Sequence, residues 1–294
     1  MSITNWVAAV PLRLRKRINR GIREAAGLSH EPPPACNDPA EAYLPVNGVA
    51  RLVHGDLPPM MIGGVASLFF EMLHPHTMAG VADHSRYQQD PLGRVLQTAN
   101  FIGATSYGST SSAYAAIERV LAIHEGVRGV ADDGVAYYAN DPHLLRWVHC
   151  AGSSMFLTAY QRYGQQRLTS VDADQYVREV AVTARDMGVV DPPTTVEELN
   201  LALESFRPEL RLSSAGMVAR DFVAKGVVEG VHQRAAYRLI VDAAYALMEP
   251  WALELLGVAS KPVVNRLVVR PAAAVLSSAV RLAVPPARPV TLTD

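Results

Sequence analysis

The stretch DPLGRVLQTANFI, residues 90–102, opens like a helix after a proline turn, yet it sets Arg94, Gln97 and Thr98 among apolar residues. Their i, i+3, i+4 spacing puts a guanidinium, an amide and a hydroxyl on one face of a helix. Nine histidines supply the other chemistry. His124 shares a stripe with Ala113, Ile117, Val120 and Leu121 near the end of the following helix. A buried neutral imidazole needs its polar nitrogens satisfied by protein groups or by a metal. Taken from the residues alone, a hydrogen-bonded core histidine is the plainer outcome. His149, in WVHCAG, poses the same problem one helix later. His84 lies beside Asp83 and Ser85 and reads as a helix-end or turn residue, while His74 and His76 flank Pro75 and read as part of a turn.

Other signatures fail. GATSYGS lacks the lysine and the strand context of a phosphate loop, and neither HExxH nor GxSxG occurs. The pairs Glu197–Glu198 and Asp132–Asp133 sit in polar surroundings and read as solvated faces.

The elements that must carry these groups are helical nearly throughout. MIGGVASLFFEML is apolar on all sides and predicts a buried helix that ends by Pro75. A Ser/Thr cluster caps TSSAYAAIERVLAIHE, which stops at Gly126 or Gly129. Asn140 or Asp141 caps the next helix, with Pro142 in its first turn and Gly164 beyond its end. A Ser/Thr-capped helix follows at TSVDADQYVREV, then a short acidic one over 194–206 and amphipathic stretches over 217–247 and 262–283. Alternating Val/Ile/Thr runs are scarce. The expectation is an all-α fold with one helical domain over 51–260. Before it comes an extension (1–50) with a proline-rich connector at 31–45, and after it an amphipathic helix and tail (261–294).

The 294 residues suffice for a sizeable core, and a net charge of −1 gives no basic field for nucleic acid. Two cysteines without metal spacing form no disulfide framework and suit a reducing compartment. The short WVAAVPL precedes its basic residues rather than following them, unlike a signal peptide, and no uninterrupted apolar run has the roughly 18 residues of a membrane span. A cytoplasmic protein is expected. The basic stripe around Leu14, Ile18 and Ile22 is suited to peripheral contact with an anionic membrane, to an acidic partner, or to packing on its own domain. The C-terminal amphipathic stretch could pack on the core, touch a membrane or form a homo-oligomer contact.

The order of three blocks says more than any one of them. FFEMLHPHTMAGVADHSRYQQDPLGRVLQT, then RVLAIHEGVRG, then YANDPHLLRWVHCAG resembles the latex-clearing-protein-like oxygenase family, which includes mycophenolic-acid-pathway-type, membrane-bound fungal enzymes that cleave a prenyl side chain. The resemblance runs over about residues 58–250. It implies a helical haem b protein with a globin-like core. It also implies that Arg94 and Thr98 line the haem pocket as the R-x-x-[K]-T motif and that His124 is the axial iron ligand. Arg94 would pair with a propionate or a buried carboxylate, and Thr98 would donate to the same group or to a distal water. Where rubber-cleaving members place a lysine, this chain has Gln97, a poor iron ligand but a hydrogen-bond donor. His84 and His149 are the candidate substitutes on that side. The family's catalytic carboxylate has no clear counterpart, and Glu71 and Asp83 are the nearest candidates. The activity so implied is an O2-using oxygenase acting on a small apolar or isoprenoid-like substrate. The alternatives are a non-catalytic haem carrier or sensor, and a haem-free helical module in which His84, His124 and His149 gather a non-haem metal or nothing.

Overall fold

The computed structural model describes residues 35–228 and 230–283. They form a single all-α domain with one two-stranded hairpin. In chain order the elements are α1 (Val49–His54), α2 (Leu57–Glu71), α3 (Pro75–His84), α4 (Pro91–Tyr107) and α5 (Thr110–Glu125), then β1 (Arg128–Val130) and β2 (Ala136–Tyr138). They continue as α6 (Pro142–Tyr163), α7 (Ser170–Asp186), α8 (Val196–Phe206), α9 (Ser214–Lys225), α10 (Val231–Tyr245) and α11 (Pro250–Leu255). Last come α12 (Pro262–Val264), a π-helical stretch (Asn265–Val269) and α13 (Arg270–Ala283), which follow one another without a break. The basic N-terminal stripe expected around Leu14–Ile22 lies outside the described residues.

The core centres on α2 and α6. Gly63 lets the two backbones close: a Cβ there would stand 3.0 Å from Phe156 Cδ1 and 3.1 Å from Ala159 Cβ. Phe69, Trp147, Tyr160, Tyr176 and Phe206 are fully buried around this contact. Each such aromatic removes a large apolar area from water, which makes this seam the main source of stability.

Most boundaries follow cap chemistry. Asp90 accepts from Gly93 N at the start of α4, Ser109 from Ser112 N at α5 and Asp141 from His143 N at α6, while Thr169 and Asp172 form a reciprocal capping box at α7. Two expectations need correction. The described part of the connector, residues 35–45, contributes to the core, since Leu44 is buried and Arg51 donates to the carbonyls of Cys36 and Leu44. The amphipathic stretch 217–247 resolves into two helices, because Gly226 (φ 70°) and Gly230 (φ 87°) take left-handed backbone conformations that a helix excludes. His76 lies in the first turn of α3 rather than in a turn before it, because Pro75 starts that helix.

The expectation of no candidate span also changes. Pro262–Leu282 is long and apolar enough to cross a membrane, with a mean hydropathy of 1.4 and only 17% of the window buried. Arg266 and Arg270 interrupt the run, which hides it from a search for unbroken apolar sequence. The rod is nevertheless tied to the body. Arg281 makes a two-pronged ion pair with buried Asp56, at 2.8 and 2.7 Å, and also donates to the Tyr163 carbonyl.

Candidate functional site

α4 and α5 form a helical hairpin anchored at its turn. Its buried residues gather there, Ala104, Thr105 and Ser106 on one arm and Ala113 and Ile117 on the other. Ser106 Oγ lies 2.7 Å from His54 Nδ1 and ties that end down. The distal parts of the arms, which carry Arg94, Gln97, Thr98 and His124, are less covered. The apolar residues around them are uncovered as well, Leu92 at 45% exposure, Val95 at 49% and Ile123 at 59%.

His124 is half-buried, and its Nδ1 lies 3.1 Å from Asn140 Oδ1. Asn140 is oriented in turn by donating Nδ2 to the Leu121 carbonyl at 3.2 Å. An amide oxygen only accepts, so this contact places the imidazole proton on Nδ1 and leaves the Nε2 lone pair free. No described residue takes Nε2. Burial, together with the positive charge of Arg94, lowers the His124 pKa against the opposing hydrogen bond from Asn140, which favours the neutral ring. The hairpin β1–β2 sets this geometry, because it spans the chain between the end of α5 and Asn140. The amide was not legible as the group that orients His124. Its signal was a surplus, two cap-type residues before Pro142 where Asp141 alone caps the helix.

Across from α4, Glu71 ends α2 and accepts a short hydrogen bond from Ser67 Oγ. Burial pushes its carboxyl up to about 7, against the lowering effects of Ser67 and of the Arg94 charge. Arg94 therefore influences both Glu71 and His124 electrostatically, although it forms no ion pair among the described residues. Gly152 on α6 lies against the same carboxylate: a Cβ there would be 3.8 Å from Glu71 Oε1. The faces involved also carry uncovered apolar groups. Leu68 stands three residues before Glu71, Val95 three before Thr98 and Val148 four before Gly152.

The remaining expected residues separate. Thr98 donates to the Arg94 carbonyl of its own helix at 3.1 Å, and Gln97 is exposed beside it. His84 is exposed at the end of α3, with Nε2 3.2 Å from the Arg128 carbonyl. Asp83 accepts from Tyr137 OH at 2.6 Å and so serves the hairpin. His149 has Nδ1 3.5 Å from Ser153 Oγ and an unpartnered buried Nε2; burial holds its pKa down to about 4, helped by Arg146 and Arg185. His84, His124 and His149 do not converge: among the described residues the group spaced for a metal is His74, His143 and Glu209.

Residues 51–278 match the family model described as ER-bound oxygenase mpaB/B'/Rubber oxygenase, catalytic domain. The chain belongs to this oxygenase family. Its domain is an oxygenase catalytic domain. No curated protein and no solved structure matches the chain.

Proposed function

We propose that this family member is a haem b-dependent oxygenase acting on a small apolar or isoprenoid-like substrate, with the cofactor between the α4–α5 hairpin and the α2–α6 seam. The observation that carries this reading is the His124–Asn140 pair, a neutral imidazole whose Nδ1–H is held and whose Nε2 lone pair has no taker among the described residues. Haem iron is held by such a nitrogen, and the partner on the other nitrogen fixes the tautomer and raises ligand basicity. The uncovered apolar side chains Leu68, Val95 and Val148 suit a flat hydrophobic group.

When bound, haem b supplies the redox chemistry that activates O2. The chain supplies position and protons. Arg94, which forms no ion pair among the described residues, would pair with a haem propionate or a buried carboxylate. Glu71, poised near neutral pH, takes or returns a proton through its carboxylate, with Ser67 fixing the orientation of one oxygen. Gln97 offers an amide N–H on the same helix face. Thr98 can turn from its own helix carbonyl to a bound group.

Haem reconstitution of the purified chain followed by ultraviolet-visible spectroscopy tests the reading. A Soret band near 400 nm, lost or displaced in His124→Ala, is the expected result; full haem occupancy with an unchanged spectrum in that variant would remove the ligand assignment. Oxygen consumption with apolar alkenes separates an oxygenase from a haem carrier or sensor, which would bind O2 without turnover.

A further inference from the structure

A second constellation lies at the corner between α2 and α3, whose axes differ by 106°. His74, the residue before α3, is 1% exposed, and neither of its ring nitrogens has a hydrogen-bond partner. Its Nε2 lies 3.5 Å from Glu209 Oε2, on the 3-10 turn after α8. The same carboxylate receives His143 Nε2 from the first turn of α6, at 2.9 and 3.1 Å. One donor atom from each of the three lies within 4.8 Å of the others.

A buried imidazole without a hydrogen bond of normal length is unfavourable, and a fold does not retain one without compensation. Beyond the long approach of Glu209 the neighbours give little: Trp147 and Phe206 present ring faces and edges to His74, with centroids at 6.1 and 6.4 Å, and His76 next to it is committed to Asp133 at 3.0 Å. We infer that His74, His143 and Glu209 form a binding site for a divalent transition-metal ion, zinc by the character of the donor set. Two imidazole nitrogens and one carboxylate oxygen are a known zinc set, with metal–ligand bonds of about 2.0–2.2 Å and one position left for water. An ion at the centre takes the His74 lone pair and neutralises the carboxylate. His143 and Glu209 are both exposed and provide the entry path. The ion joins three segments far apart in sequence and pins the α2–α3 corner. Trp147 Nε1 donates across that corner to the Glu71 carbonyl at 3.3 Å. This inference does not depend on haem.

The test is zinc stoichiometry of the full-length chain, purified without a histidine tag, equilibrated with ZnCl2 and measured by elemental mass spectrometry beside His143→Ala and Glu209→Gln. Both substitutions are at exposed positions, and circular dichroism checks that the variants fold. One zinc per chain is expected, with affinity falling at least about 100-fold in each variant, and zinc raising the melting temperature of the parent alone. X-ray absorption should report two imidazoles and oxygen ligands. Equal zinc in all three proteins, no zinc in the parent, loss of zinc on His124→Ala instead, or retention of non-haem iron in its place would each overturn the assignment.

Discussion

Replacing Glu71 by glutamine keeps the shape and an oxygen for Ser67 to donate to, but removes the titration. In the folded chain the carboxyl holds its proton up to about 7, against 4.5 for the ordinary group. Between those values the unfolded chain releases a proton that the folded chain keeps, so stability is full below 4.5 and falls as pH rises through 7. The full shift corresponds to about 3 kcal/mol, and the partial exposure of Glu71 discounts this to about 2 kcal/mol. Buried His54 and His149, both lowered to about 4 by burial, have the opposite sign and lose stability as pH falls below 6.5. Their contribution is common to parent and variant and cancels in the difference. Urea unfolding of both proteins from about pH 5 to about pH 8 should therefore show Glu71→Gln gaining about 2 kcal/mol relative to the parent. A difference that stays flat across that range would show that the carboxyl is not held protonated, and the proton-transfer role would fail with it.

Asn140→Leu should lower haem affinity by about 10- to 100-fold, read by haem transfer to apomyoglobin, because the imidazole loses the group that fixes its tautomer. Arg281→Ala should cost about 3–5 kcal/mol in chemical denaturation, since it removes the paired cation from the buried Asp56 carboxylate; Asp56→Asn combined with Arg281→Met should recover part of that loss. Thr169→Ala should lower stability by about 1 kcal/mol through loss of the capping box at α7, checked by thermal melting.

Helix positions were legible because period and caps agree: Ser109, Asp141 and Thr169 fall within the cap clusters read in the chain, and the backbone honours them. The family was legible from three blocks in order, and the matched region extends beyond them at both ends. What the residues alone did not reveal are contacts made across long sequence separations. His124 and Asn140 are brought together by a hairpin of two three-residue strands, too short to leave an alternating pattern. Glu71 and Asp83 look alike in the chain, and only folding brings one under the influence of Arg94 and gives the other to Tyr137. His74 reads as a turn residue because proline follows it, whereas its burial depends on Trp147 and Phe206, more than seventy residues later.

The rod from Pro262 to Leu282 has a bilayer's length, yet Arg281 fastens its far end to an acid buried between α1 and α2. Threading it through a lipid layer would tear that fastening out and strand Asp56 in the interior. If this chain meets a membrane, the cheaper posture is to lie along it, with Val263, Leu267 and Val275 turned toward the lipid and the rest of the body riding on the surface.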